Sequence, residues 1–205
     1  AMTPLPIDPA LPAILDALDA RGALVLVAEP GSGKTTRVPP AIVRRGASGR
    51  VLVLQPRRVA ARSTAARIAD EQGWTLGREV GYHVRFDRRD SADSRLVVMT
   101  EGILSRRLLA DPFLEGVGTV VLDEFHERSL HTDLALALLR EVHREVRPDL
   151  RIVVMSATLD AEPVARFLDA PVIQVPGRTH PVAISYRDAS RPADPGVIAG
   201  AVADA

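Results

Sequence analysis

The stretch EPGSGKTTR, residues 29–37, decides the fold class, and it holds Lys34, the only lysine among 26 basic residues. It follows the apolar run ALVLVA (23–28) and leads into a stretch with helical spacing. Except that Ala28 occupies the first glycine position, it fits the pattern G-x-x-x-x-G-K-[ST] of a phosphate-binding loop. The strand, loop and helix occur in the order that this pattern requires. The stretch therefore predicts a site for a nucleoside triphosphate.

Each residue type in this loop suits phosphate chemistry. Backbone N–H groups at a helix N-terminus curl around the β-phosphate, and glycines permit that close approach. The compact ammonium of a lysine fits beside the loop and bridges the β- and γ-phosphates, whereas a planar guanidinium is wider and favours a forked contact. A hydroxyl of the following threonine is a ligand for Mg²⁺. We predict that the nucleotide, ATP, is bound by Gly31, Ser32, Gly33, Lys34, Thr35 and Thr36, with Thr35 also holding Mg²⁺.

A second acidic stretch, TVVLDEFHER at residues 119–128, is the expected partner of a phosphate loop. Asp123 stands at the end of an apolar strand, where its carboxylate is able to hold the same Mg²⁺ as Thr35. Glu124 is placed to orient or deprotonate the attacking water and to add a second carboxylate near the metal. His126 and His131 do not make a zinc site, because zinc needs more ligands and the chain has no cysteine.

The rest of the chain alternates strands with helices, which predicts a doubly wound α/β fold with a mostly parallel sheet and helices on both faces. Short valine-rich runs read as strands buried on both faces. These runs are 23–28, 51–54, 95–99, 118–122, 151–155 and 171–175. Helical spacing occurs at 57–72, 101–110 and 130–146, and near the N-terminus, where Asp8 and Pro9 read as an N-cap followed by the first helical residue.

Composition excludes several other classes of protein. The chain has 205 residues and no cysteine, so disulfides and thiolate metal sites are excluded. The N-terminus lacks the basic and apolar regions of a signal peptide, and no run of about 18 apolar residues occurs, so we expect a cytoplasmic protein with no membrane contact. Basic and acidic residues are equal in number, so nucleic-acid binding would require a local patch.

Taken in order, the motifs resemble those of the DEAH-box helicases of superfamily 2, and DEFHERS resembles the bacterial HrpB-type branch. The segment Asp123–His126 is similar to the family signature, with Phe125 in place of the usual alanine. The other segments that resemble family motifs are QPRRVAAR (55–62), VGYHVRF (80–86), TEGIL (100–104), SATL (156–159) and PGRTHPV (176–182). The resemblance implies a RecA-like P-loop NTPase fold and covers about residues 10–187.

The resemblance also implies roles for individual residues. Lys34, Asp123, Glu124 and His126 would form the catalytic set, with His126 near the γ-phosphate. Ser156 and Thr158 would couple nucleotide state to the position of a second lobe. Arg67 matches a family arginine that stacks on adenine, and several nucleoside triphosphates are expected to serve. Single-stranded RNA or DNA would be contacted by Arg57, Arg58, Thr100, Glu101 and Gly102.

Chemistry supports part of that nucleic-acid prediction independently. Arg57, Arg58, Thr100 and Gly102 follow strands, at the sheet edge where ligands of open α/β sheets bind. Two arginines at a helix start are unfavourable unless an anion lies nearby. Arginines, hydroxyls and backbone N–H groups at such an edge hold a strand by its phosphates without reading its sequence.

The predicted domain organisation follows the resemblance. We expect residues 1–22 to form a helix that packs on the core, residues 23–178 to form the first RecA-like domain, and residues 179–205 to form a linker and the start of a truncated second one. The two-arginine motif Q-R-x-G-R-x-G-R of that second lobe does not occur in the sequence. We therefore expect a monomeric lobe that hydrolyses ATP very slowly. The alternative is a nucleotide-dependent switch or adaptor without unwinding activity.

Overall fold

An eight-stranded sheet forms the centre of the computed structural model, which describes residues 3–158 and 160–177. The strand order is β4-β3-β5-β2-β6-β7-β1-β8, and every pairing is parallel except that of β3 with β4. The strands are β1 (Ala23–Ala28), β2 (Arg50–Gln55), β3 (Val80–Val84), β4 (Asp87–Arg89), β5 (Leu96–Thr100), β6 (Val117–Leu122), β7 (Arg151–Ser156) and β8 (Val172–Val175). The predicted fold class is confirmed.

Helices cover both faces of the sheet, as the alternation of strands and helices predicts. They are α1 (Leu11–Arg21), α2 (Lys34–Arg44), α3 (Arg58–Gln72), α4 (Glu101–Ala110), α5 (Leu130–Glu145) and α6 (Glu162–Leu168). Apolar residues of α1, α2 and α3 pack in one core with alternate strand residues such as Leu24 and Leu26. The other strand residues, such as Val25 and Val27, pack with α4, α5 and α6 in a second core. Strands buried on both faces explain why their sequences are continuously apolar.

Three parts of the fold differ from the sequence-based expectation. The chain forms a short 3-10 helix at Asp8–Ala10 before α1, so Asp8 is not the N-cap of that helix. Its carboxylate instead accepts a hydrogen bond from the backbone N–H of Leu5 at 2.8 Å. The hairpin of β3 and β4 and the seven-residue α6 were not predicted, because their sequences are short and mix polar with apolar residues.

Ile14 and Leu18 of α1 are fully buried in the first core. The boundary at 178/179 and the segment 179–205 lie outside the described residues, as do Leu159 of the SATL segment and most of 176–182. Among the residues that the structure describes, no helix is long and apolar enough to cross a membrane. The carboxyl ends of β1, β2, β5, β6 and β7 meet at one edge of the sheet, because these strands are parallel.

Candidate nucleotide site

The phosphate loop, residues 29–35, connects the end of β1 to the start of α2. Gly33 is the N-cap of α2 with φ +93°, and Gly31 has φ +77°, a region that disfavours residues with a Cβ. A Cβ on Gly33 would also lie 2.6 Å from the side chain of Leu5. The N–H of Ile7 donates to the carbonyl of Ser32 at 3.0 Å, so the segment before α1 is hydrogen-bonded to the loop. The loop therefore requires glycine at Gly33 for two independent reasons.

Lys34 and Ser32 carry buried polar groups inside the loop. Lys34 is 4% exposed, and its Nζ lies 3.5 Å from Oε1 of Glu124. Ser32 is 2% exposed, and its hydroxyl has no hydrogen-bond partner among the described residues. A buried ammonium with one long ion pair and an unpartnered hydroxyl are unfavourable unless an anion joins them. The first N–H groups of α2 also have no partner within their helix. These donors fit a phosphate group.

Asp123 is the most constrained acid of the site. It is 2% exposed, and its Oδ2 accepts hydrogen bonds from the hydroxyl of Thr35 and the side-chain amide of Gln55, both at 2.5 Å. Its Oδ1 accepts from the N–H of Glu124 at 2.9 Å. Burial raises the pKa of Asp123 to about 6, while the hydrogen bond from Thr35 acts in the opposite direction. A divalent cation would compensate the burial of this charge.

The donor set beside the loop fits Mg²⁺. Oxygen ligands suit this hard cation, which usually takes one or two protein ligands and completes its shell with water and substrate phosphates. The hydroxyl of Thr35 and the carboxylate of Asp123 already touch each other. Glu124 lies next to them with its Oε1 directed to Lys34. Thr35 and Asp123 are the residues that would hold the ion, with the carboxylate of Glu124 nearby.

His126 connects the acidic stretch to the end of β7. Its Nδ1 accepts a hydrogen bond from the N–H of Ala157 at 3.3 Å and lies 3.5 Å from Oε2 of Glu124. Ala157 stands between Ser156 and Thr158, whose hydroxyls are 3.3 Å apart. The imidazole of His126 therefore contacts the predicted coupling segment at the backbone N–H of Ala157, and not at the hydroxyl of Ser156 or Thr158.

Phe125 points away from these polar groups. It is buried in the core formed with α4, α5 and α6, and Arg128 lies with its guanidinium carbon 5.2 Å from the ring centroid. Glu124, just before Phe125, and Arg128, three residues after it, have positive φ angles of 51° and 42°. This sharp turn directs Glu124 toward the loop and Phe125 into the core.

Two adjoining clefts open beside the loop, with volumes of about 450 and 200 Å³. Thr35, Thr36, Arg67 and Glu124 line both of them. Arg67 is exposed and donates to Glu71, its neighbour one turn along α3, at 2.8 Å. Arg67 thus stands at the border of both clefts, and its contact with adenine stays a prediction.

Residues 9–167 match the protein family described as DEAD/DEAH box helicase. The chain belongs to this family. It is 44% identical over 187 residues to the ATP-dependent RNA helicase HrpB of Escherichia coli strain K12. The aligned region covers 90% of this chain and 23% of that protein. Two crystal structures of E. coli HrpB, described as a DEAH/RHA helicase and as a DExH-box NTPase, superpose with TM-scores of 0.83 at 45% identity. They match 87% and 89% of this chain, and the chain spans 23% of their length.

The helicase lobe brings its candidate nucleic-acid residues to neighbouring strand ends. Gln55 and Thr100 are register partners at the ends of β2 and β5, so Arg57 and Gly102 follow at the same edge. Arg57 donates to Oε1 of Glu127 at 3.1 Å, which supplies the anion that two arginines at a helix start require. Arg58 and Gly102 are exposed, and nothing lies within 4 Å of a Cβ built on Gly102.

Glu101 occupies a different environment from its neighbours in this helicase lobe. Its carboxylate accepts hydrogen bonds from the hydroxyls of Ser129 and Thr132, at 2.8 and 2.6 Å. Ser129 is the N-cap of α5. The side chain of Glu101 thus joins α4 to α5, and the nucleic-acid contact predicted at this position stays a prediction.

Two residues of the helicase site were missed from the sequence. Gln55 is buried and bonds directly to Asp123, and Glu127 holds Arg57. A polar residue at the last position of a strand buried on both faces was the available signal for Gln55. For Glu127 no signal existed, because its contact depends on the position of α3 relative to the turn that follows β6.

Proposed function

We propose that this chain is the ATP-binding and ATP-hydrolysing lobe of an RNA helicase, which couples hydrolysis to movement along a single strand. The observation that carries the proposal is the partly buried contact between Thr35 and Asp123, next to the ion pair of Lys34 with Glu124. Membership of the helicase family and the likeness to a protein named ATP-dependent RNA helicase HrpB support it.

Binding of ATP begins with an exchange of partners in the loop. Lys34 leaves Glu124 and bridges the β- and γ-phosphates, while the N–H groups of Gly31 to Lys34 and the hydroxyl of Ser32 donate to phosphate oxygens. The change turns a long ion pair into several charge-assisted hydrogen bonds. Arg67 stacks on the base from the border of the two clefts. Because stacking on a base reads little of its identity, several nucleoside triphosphates are expected to serve.

The same exchange prepares hydrolysis. Once Lys34 has moved to the phosphates, the carboxylate of Glu124 is free to orient a water molecule and to accept its proton as the water oxygen attacks the γ-phosphorus. The bond from that phosphorus to the β–γ bridging oxygen breaks, and ADP leaves. Thr35 and Asp123 would hold Mg²⁺, which would supply positive charge beside the phosphates. His126 keeps Glu124 and the end of β7 in contact during this step.

Nucleic acid is held at the adjacent part of the same edge. Arg57 and Arg58 contact phosphates, and Thr100 and the backbone of Glu101 and Gly102 position the strand. Ser156 and Thr158 pass the state of the nucleotide to a second RecA-like lobe of the longer protein. Because such a lobe supplies an arginine worth about 10³–10⁵ in rate, the lobe described here turns over ATP slowly alone. We place the protein in the cytoplasm and expect the lobe to be a monomer.

ATP hydrolysis by the full-length protein tests the proposal. Turnover is measured without nucleic acid, with single-stranded RNA and with single-stranded DNA of the same sequence, and Lys34→Ala serves as the blank. Stimulation by RNA that disappears in Lys34→Ala is the expected result. Turnover that is stimulated by DNA and not by RNA would identify DNA as the substrate in place of RNA. Turnover that responds to neither would leave a nucleotide-dependent switch or adaptor as the better description.

A further inference from the structure

A large basic cleft, with a volume of about 580 Å³, lies at the edge of the sheet opposite to the phosphate loop. Its walls are the C-terminal ends of α1, α5 and α6, each of which leads into the amino end of β1, β7 or β8. Strands of six residues separate the two edges by about 20 Å, at about 3.3 Å a residue. The cationic and aromatic lining residues are Arg21, Arg140, His143, Arg144, Arg166 and Phe167.

The charge of this cleft is unlike that of the whole chain. Four of its nine lining residues are arginines, and one, Asp169, is an acid. The cleft therefore carries a local charge of +3 with His143 neutral, in a chain whose net charge is zero. Asp169 lies 3.8 Å from Arg21 and is almost fully exposed, so it offsets the other arginines little. Such a concave concentration of one sign attracts anions.

Helix dipoles explain only some of these cations. A single cation in the last turn of a helix offsets the negative end of its dipole, and Arg21 and Arg166 meet that need for α1 and α6. On α5, His143 and Arg144 already occupy the last turn, and Arg140 stands one turn earlier. Positive charge is thus present beyond what the three helix ends require.

An aromatic ring lies within the same cleft. The guanidinium carbon of Arg140 is 4.4 Å from the ring centroid of Phe167, and this phenylalanine remains 39% exposed. Arg140 also pairs with Glu141 at 3.3 Å, which leaves the exposed ring of Phe167 as a platform for a base and the neighbouring arginines as donors for phosphates. Among the residues that the structure describes, Arg144 and Arg166 have no ion-pair partner.

We propose that this cleft is a second binding site for single-stranded nucleic acid. Arg144 and Arg166 contact the phosphate backbone, and the Arg140–Phe167 stack supports a base. The site is separate from the strand contacts at Arg57 and Arg58, because it lies at the other edge of the sheet. An acidic protein segment would also be attracted by the charge, but it would make no use of the exposed ring.

Fluorescence anisotropy of a labelled 15-residue oligouridine with the 205-residue chain tests this site. In Arg144→Glu/Arg166→Glu, both altered side chains are exposed, so the fold is retained and thermal unfolding checks it. The matched control is Arg78→Glu/Arg89→Glu, which makes the same change of charge at exposed arginines beside β3 and β4. We expect the first variant to lose at least about tenfold in affinity relative to the control. Its salt dependence should be shallower by about 1.4 in log–log slope, since two phosphate contacts contribute ~0.7 each.

Two further readouts separate the possible explanations. Phe167→Leu should weaken oligouridine binding at least about fivefold, as expected for the loss of one stacked base. Hydrogen exchange should show RNA-dependent protection of residues 138–146 and 162–170. The proposal is overturned if both charge-reversal variants lose affinity equally, or if protection is confined to the phosphate-loop edge. It is also overturned if a polyglutamate peptide binds in an Arg144- and Arg166-dependent manner while oligouridine does not.

Discussion

The hydroxyl of Thr35 lies 2.5 Å from Oδ2 of Asp123, although 88 residues separate them in the chain. The contact joins the first residues of α2 to the end of β6. The two proposed Mg²⁺ ligands therefore lie side by side in the fold. Pre-arranged ligands lose little freedom on binding, which favours tight and geometrically defined coordination.

Two replacements of Thr35 should distinguish the effect of its hydroxyl from the effect of its side-chain volume. Thr35→Val keeps the volume and removes the ligand, and we expect Mg²⁺-dependent binding of a fluorescent ATP analogue to weaken by on the order of tenfold or more. Thr35→Ser, which retains the hydroxyl, should stay within a few-fold of the unmodified chain. Equal binding by both variants in Mg²⁺ would contradict the assignment of Thr35 as a ligand.

Gln55 should tune the metal site without touching the nucleotide. Its amide is one of two donors to Oδ2 of Asp123, and both groups are buried. In Gln55→Leu we expect the Mg²⁺ concentration for half-maximal analogue binding to rise several-fold, because the aspartate loses an orienting partner. Binding in EDTA should stay unchanged. Gln174→Leu, at an exposed position of β8, is the control, and a similar rise in it would dismiss the specific role.

These two contacts also show how far the sequence reaches. The phosphate loop and the buried strands were predicted because they are local patterns of adjacent residues. The bond of Gln55 to Asp123 joins residues 68 apart, at the ends of β2 and β6. It depends on the register of these neighbouring strands, in which Leu54 pairs with Leu122. Periodicity predicts that both strands exist but leaves their order in the sheet open, so this contact required the structure.

The hairpin of β3 and β4 escaped prediction for a different reason. Tyr82 and His83 interrupt the apolar pattern, because β3 pairs on one side with the short, exposed β4 rather than lying in the sheet centre. Half-buried edge strands mix polar with apolar residues, and their sequences resemble loops. Glu101 is another residue whose surroundings needed the structure: its side chain is joined to α5, and the nucleic-acid contact that its motif implies stays a prediction.

The raised pKa of Asp123 predicts a pH-dependent cost to stability in the absence of Mg²⁺. The pKa of this residue rises from 3.8 to about 6 on folding, so its favourable contribution is present below pH 3.8 and is lost as the pH rises through 6. In EDTA at pH 8, Asp123→Asn should therefore raise the free energy of unfolding, by at most about 3 kcal/mol. The gain should shrink towards pH 4.5.

Urea denaturation at several pH values measures this effect. Asparagine replaces one carboxylate oxygen with an amide nitrogen, which cannot accept either from the N–H of Glu124 or from Thr35 and Gln55, so the observed gain should fall below that maximum. Asp93→Asn, at an exposed position, is the control and should show no such pH dependence. A stability difference for Asp123→Asn that is the same at pH 4.5 and pH 8 would argue against a raised pKa.

The two glycines of the loop should differ in their tolerance of alanine. Both have positive φ, so Gly31→Ala and Gly33→Ala each incur a backbone cost of about 1–2 kcal/mol. Only at Gly33 would the new Cβ also displace Leu5, since nothing lies within 4 Å of a Cβ on Gly31. Thermal denaturation should show a loss of stability at least twice as large for Gly33→Ala. Equal losses would show that Leu5 moves aside freely.

Glu101 provides a test between a structural and a nucleic-acid role for a residue of the TEGIL segment. Glu101→Ala removes the carboxylate that accepts from the hydroxyls of Ser129 and Thr132, which keep their contact with each other at 2.9 Å, and losing these hydrogen bonds to a charged group costs about 1–3 kcal/mol. We expect that loss in urea denaturation, with oligouridine affinity unchanged at a temperature where both proteins are folded. Glu101→Gln should recover part of the stability, because its carbonyl still accepts.

Glu115→Ala, at an exposed position, controls for the loss of one negative charge. A change in oligouridine affinity for Glu101→Ala beyond that of Glu115→Ala, without a loss of stability, would return the carboxylate to the nucleic-acid site.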